Sequence, residues 1–96
     1  MTALEDLSRN YRVSFLRYLP RREEAALHSG YQLGRAAVAE GLSVLELATV
    51  HHAVFLEVLR DTAAEDLTRV TTAASEFFVE VLATYHMAQD NYLERS

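Results

Sequence analysis

The chain has 96 residues, 50% of them apolar and 24% charged, with a formal net charge of −5 and no cysteine. That size and balance describe a single globular domain. They exclude disulfides and thiolate metal sites and argue against nucleic acid as a partner, because phosphate binding needs a surplus of Lys and Arg on one face. No apolar run approaches the ~20 residues of a membrane span and no signal peptide opens the chain, so a cytoplasmic home and no membrane contact are expected.

A single Pro and three Gly leave no room for a linker. Four segments of helical period divide the chain as helices over about 3–19, 21–40, 43–60 and 63–92, an all-α, four-helix bundle-like domain over residues 1–96. In the first, Leu4, Leu7, Tyr11, Phe15 and Tyr18 recur at three- and four-residue steps and share one stripe. Pro20 cannot continue that helix but suits the start of the next. The second helix carries a smooth track of Ala26, Gly30, Gly34 and Ala37. A glycine inside a helix costs roughly 1 kcal/mol relative to Ala, so close approach of another helix is the expected compensation.

Gly41 fits the left-handed residue just past a helix end. Ser43 with Glu46, and Thr62 with Glu65, have the spacing of capping boxes for the third and fourth helices. Along the fourth, Leu67, Val70, Ala74, Phe77, Phe78, Val81, Tyr85, Ala88 and Tyr92 keep one face apolar. The third helix is apolar around roughly two-thirds of its circumference, with Thr49, Arg60, Ala53, Glu46 and Glu57 left for water. Three partners of this size do not easily surround such a helix. A second copy of the domain would supply the missing cover, and a buried central helix of a lone bundle is the alternative.

The residues offer no catalytic machinery. His51 and His52 are adjacent and diverge by about 100° on a helix, so they cannot grip a metal together. His28 and His86 stand apart from any cluster with metal spacing. His51 lies mid-stripe and reads as a core or interface histidine. Glu76 and Glu80 sit one turn apart on the polar side of the fourth helix and read as a solvated face, without the desolvation that acid–base work requires. Gly30 and Gly34 lie within a helix and cannot cradle a phosphate. No enzyme activity, metal or cofactor is expected.

The order of short motifs is more telling than any one of them. Tyr11-Arg12, Arg17-Tyr18-Leu19, Glu24 to Leu27, Tyr31 to Arg35, Glu40 to Ser43, Leu47 to His51, Ala74 to Phe77 with Glu80, and Tyr85 to Ala88 follow one another. This succession resembles the N-terminal domain of the RsbU serine phosphatases, which release the bacterial general stress response, and it extends from about Asp6 to Tyr92. The resemblance implies a helical module that forms a homodimer and binds an RsbT-like switch kinase of the GHKL group. That binding would activate a PP2C-type serine phosphatase, which frees a sigma factor by partner switching. Tyr18, Leu27, Arg35, His51, Glu80, Met87 and Ala88 match the family pattern. An alternative use of the same fold is dimerisation and signal relay beside another sensor or output domain, with no kinase partner.

For the partner-binding or dimer surface, the expected residues are the apolar ones left over once the bundle is packed. These are Val50, Val54, Val58 and Val79, with Arg35 or Glu80 at the rim. Asp90 to Ser96 holds no Pro or Gly stop, so the last helix is expected to continue into a downstream segment of the native protein.

Overall fold

The computed structural model describes the backbone of residues 2–95 and the side chains of residues 2–91. Within them lie four α-helices and no strand: α1 (Ala3–Tyr18), α2 (Glu24–Ala39), α3 (Val44–Arg60) and α4 (Leu67–Arg95), with a 3₁₀ turn (Ala64–Asp66) before the last. Local chemistry accounts for each boundary. Thr2 caps α1 by accepting the Glu5 amide at 3.1 Å. Ser43 and Glu46 form the reciprocal capping box at the start of α3. Gly41, at φ +73°, ends α2 in a Schellman turn, with its own amide on the Val38 carbonyl and the Leu42 amide on that of Ala37.

Two helices begin later than their periodicity suggests. α2 starts at Glu24, because residues 19–22 close a turn in which the Arg22 amide reaches the Tyr18 carbonyl at 2.8 Å. Arg22 occupies the left-handed region there, at φ +53°. α4 starts at Leu67, because Thr62 spends its hydroxyl on the Val58 carbonyl at 2.7 Å, so it extends the end of α3 and does not cap α4. The Thr62–Glu65 capping box therefore does not form.

The core is aromatic. Phe77 of α4 meets Tyr11 and Phe15 of α1 edge-on at 5.3 and 5.7 Å between ring centroids. Leu47, Val81 and Ala73 complete the centre without measurable exposure. The apolar stripe of α1 buries Leu7, Tyr11, Phe15 and Tyr18, whereas Leu4, at its N-terminal end, is left 38% exposed because no helix covers it. On α4, Val70, Ala74, Phe77, Val81 and Tyr85 face inward and Leu67 does not; the Tyr92 side chain lies outside the described residues.

α2 and α4 are the most intimately packed pair, and the small-residue track of α2 sits at their contact. A Cβ on Gly34 would overlap Thr84 Oγ1 and lie 2.6 Å from the Val81 carbonyl oxygen and 2.8 Å from the Tyr85 amide nitrogen. At Gly30 the neighbours are side chains, with Phe77 and Val81 each 3.3 Å away. Ala37 is buried and Ala26 half-buried on the same track. Gly34 thus lets two backbones come together where any side chain would hold them apart.

Candidate interaction surface

α3 attaches to the bundle along one side, through Leu47, Val50 and Val54. Two polar contacts fix its height against α1. The Tyr11 hydroxyl is hydrogen-bonded to His51 Nδ1 at 2.6 Å, and Arg12 pairs with Glu57 at 2.7 Å across the exposed edge. His51 also lies flat on Phe78 of α4, ring centroids 4.0 Å apart and planes within 4°. One imidazole therefore joins α1, α3 and α4. Burial, reinforced by the adjacent His52, lowers its pKa to about 4, so His51 is neutral at physiological pH. Burial likewise pushes the Tyr11 phenol far up. The pair is a neutral structural hydrogen bond.

The wide apolar arc of α3 now divides in two. The half bearing Val50 and Val54 is covered by the chain itself; these residues are 5% and 6% exposed. The sequence marks both as left over after the bundle packs, and the structure corrects this. They lie beneath the furrow between α1 and α3, which the Arg12–Glu57 pair bridges. Val58, half-buried, borders the continuation of the furrow beside Leu16 and Leu19. α1 covers that side of α3 because Tyr11 and Arg12 hold it there.

The other half has no neighbour. Leu45 is 76% exposed, Val44 and Leu56 are exposed as well, and Ala48, Phe55 and Leu59 are half-buried at its margin. Across the His51–Phe78 seam the surface continues onto α4 through Leu82, half-buried, and Val79, 64% exposed. Val79 alone among the four expected valines stands open to solvent. A contiguous apolar face on a small domain is the ordinary mark of an association surface.

Arg35 stands on another helix, away from Val79, whereas Glu80 is the next residue to Val79 on α4. Arg35 projects from α2, bonded to the Tyr31 hydroxyl at 2.9 Å and lying over that ring, beside a shallow groove lined by Val38, Ala39, Met87 and Ala88. Glu80 is half-buried, and its carbonyl accepts from Thr84. Glu76 is not simply a solvated carboxylate. Arg22 grips it with two bonds, at 2.7 and 2.6 Å, and the Tyr18 hydroxyl donates to it at 3.1 Å. The Arg22 guanidinium holds the Glu76 carboxyl below its ordinary range. This ties the α1–α2 turn to α4. Sequence spacing gives no hint of it, since the partners are 54 residues apart.

Among the described residues no three His, Asp or Glu side chains gather in a way that could hold a metal ion, and no helix is long and apolar enough to cross a membrane. What the surface offers is apolar area on a rigid helical frame, which suits it to binding another protein. An all-α domain that leaves an apolar helix face open has the build of a protein-interaction module. The chain belongs to the family of the N-terminal domain of the phosphoserine phosphatase RsbU, whose family model matches residues 9–88. Neither the curated proteins nor the solved structures gave a match. The family makes the chain a regulatory domain of an RsbU-type phosphatase, and these 96 residues contain no phosphatase domain.

Proposed function

We propose that this domain pairs with a second copy through the uncovered α3–α4 face, and that the pair docks an RsbT-like kinase of the GHKL group in the cytoplasm. Docking then activates an attached PP2C-type serine phosphatase in sigma-factor partner switching. The observation that carries this reading is the face itself. It presents exposed apolar side chains on two helices, Val44, Leu45 and Leu56 of α3 and Val79 of α4. Isologous pairing through it would bury on the order of 1,600 to 2,000 Å² in total, the range of a specific dimer. The long α4 supports the second half of the reading, because a helix of 29 residues can transmit a change in pairing geometry along its length.

Two candidate places remain for the kinase. One is the edge of the paired surface near Val79; the other is the Arg35–Met87 groove between α2 and α4. A partner that discriminates two pairing geometries by ~3 kcal/mol shifts their ratio about a hundredfold. The test combines mass and titration: light scattering on the purified domain, then calorimetry against an RsbT-type kinase. The expected results are a dimer and saturable, stoichiometric kinase binding. A folded monomer refutes the pairing. A dimer indifferent to the kinase refutes the docking and leaves the domain as a dimerisation and relay module.

A further inference from the structure

The charges of this chain are unevenly spread. Residues 7–22 hold five of the nine Arg and none of the fourteen acidic side chains. Most of that local surplus is neutralised within the fold. Arg9 pairs with Asp6, Arg12 with Glu57, Arg21 with Glu23 and Arg22 with Glu76. Arg17, exposed in the last turn of α1, meets no carboxylate among the described residues.

Arg17 borders a groove between α1 and α2, about 390 Å³ in volume, whose lining contains no Asp or Glu. Asn10, Ser14 and Arg17 follow one another along α1 in steps of four and three, and Ser29, Gln32 and Ala36 along α2 in steps of three and four. Each helix therefore gives one stripe as a wall. Val13, 44% exposed, and Ala36 add apolar surface beside the buried Leu33. Among the described residues, Asn10, Ser14, Ser29 and Gln32 engage their side chains in no hydrogen bond. The hydroxyls of Ser43, Thr62 and Thr84, by contrast, are all used at helix ends or turns. The last turn of a helix favours a cation, which accounts for the charge of Arg17 but not for four unengaged polar side chains beside it.

Charge and shape together select the occupant. A guanidinium stays charged at every physiological pH, and its planar fork matches a carboxylate. One unpaired cation is too few for a nucleic-acid backbone, which takes several. The groove is open along its length, so a small molecule in it would keep one side in water, whereas a small-molecule site buries most of its ligand. A protein segment needs only such a trough. We infer that the α1–α2 groove docks an acidic, amphipathic segment of a partner protein, with a carboxylate on Arg17 and apolar side chains on Val13 and Ala36. The groove shares no residue with the exposed α3–α4 face, so the inference does not depend on pairing through that face.

Nuclear magnetic resonance titration of the whole chain with a synthetic amphipathic helix of Glu and Leu, and with its Gln counterpart, provides the test. Expected with the Glu peptide are saturable amide shifts confined to residues 10–17 and 29–36. Arg17→Glu turns an attraction into a repulsion and should weaken binding roughly tenfold. Salt near 1 M should also weaken it, since the screening length falls from about 10 Å at 0.1 M to about 3 Å. Arg60→Glu changes the net charge equally but lies outside the groove, at the end of α3, and should bind as the native chain does. Both positions are exposed, so both variants should keep native helicity by circular dichroism. Equal weakening by the two variants, equal shifts with the Gln peptide, or no shifts with the Glu peptide overturns the docking. Shifts that inorganic phosphate reproduces would make the groove a small-anion site, and self-association that Arg17→Glu abolishes would give it to the acidic side of a second copy. Either result displaces the partner segment.

Discussion

Replacing Gly34 with Ala sets two known effects against each other at one position. In a bare helix the change is favourable by roughly 1 kcal/mol, because Ala loses less backbone freedom. Here the new methyl would overlap Thr84 Oγ1 and sit 2.6 Å from a carbonyl oxygen and 2.8 Å from an amide nitrogen of α4. Ordinary contacts of this kind are longer by several tenths of an ångström. Thr84 could rotate, but it would give up the bond to Val81 at 3.0 Å, and the backbone atoms cannot move without displacing the helix. Overpacking of this kind costs typically about 1–3 kcal/mol, and rigid neighbours place it at or above the upper end. The net result is a loss of about 2 kcal/mol. For a domain of this size that lowers the melting temperature by roughly 8–16 °C. Gly30→Ala is the internal control: its neighbours are side-chain atoms of Phe77 and Val81 at 3.3 Å, which can shift, so its change should be within about 1 kcal/mol of zero. Thermal and urea unfolding of both variants by circular dichroism decide it. If Gly34→Ala is as stable as the parent, or if Gly30→Ala is the worse of the two, the close approach of α2 and α4 is not what selects glycine here.

Arg22 holds a left-handed conformation and the bidentate pair with Glu76, so Arg22→Ala should lose the pair and keep the strain. Arg22→Gly relieves about 1 kcal/mol of that strain and should melt higher than the Ala variant; the reverse order would mean that the turn is not strained. A second expectation concerns acid. The folded-state pKa of His51, about 4, lies below the ordinary 6.5, so below about pH 6.5 the unfolded chain binds more protons there and stability falls as pH drops toward 4. The limit is about 1.4 kcal/mol per pH unit for a buried group and less for this half-buried one. His51→Gln should flatten that part of the profile, and an unchanged slope in urea unfolding across this range would remove His51 as its source.

Much of the fold is legible in periodicity and caps, because both are local. The Leu7–Tyr11–Phe15–Tyr18 stripe, the Ser43–Glu46 box and the Gly41 turn each depend on residues within one or two turns of one another. The Gly30–Gly34 track also announces a close approach, although not its partner. Less legible is what depends on how helices sit side by side. Period alone shows that α3 is apolar on two sides, but which side the chain covers is decided by Tyr11, Arg12 and Phe78, residues distant in sequence. That is why Val50 and Val54 read as surplus and prove to be core. Glu76 reads as a free surface carboxylate for the same reason, since its partner Arg22 reaches it from a turn whose left-handed residue is not a glycine.

The same distinction chooses the variants that can locate the surface. Val54→Asp looks like a probe of an apolar face, but Val54 is 6% exposed. A carboxylate there must be desolvated without a partner, and the valine's own burial is lost, together on the order of 4 kcal/mol. That is a large share of the roughly 5–15 kcal/mol that holds a small domain together. Val54→Asp should therefore destabilise or unfold the chain, and its loss of any binding would say nothing about where binding occurs. Leu45 is 76% exposed and Val79 64%. At such positions Asp costs the lone chain within about 0.5 kcal/mol, yet in a pair each copy would bury a carboxylate against apolar surface. Two copies make the penalty double, so the dimer should weaken by at least about a hundredfold while the melting profile of the isolated chain is retained. Ultracentrifugation with circular dichroism separates the cases. Leu45→Asp and Val79→Asp should both be folded monomers. If Val54→Asp proves as stable as the parent, α3 does not pack on α1 through Val54. If Leu45→Asp and Val79→Asp still pair with native affinity, the uncovered face of α3 and α4 is not where two chains meet.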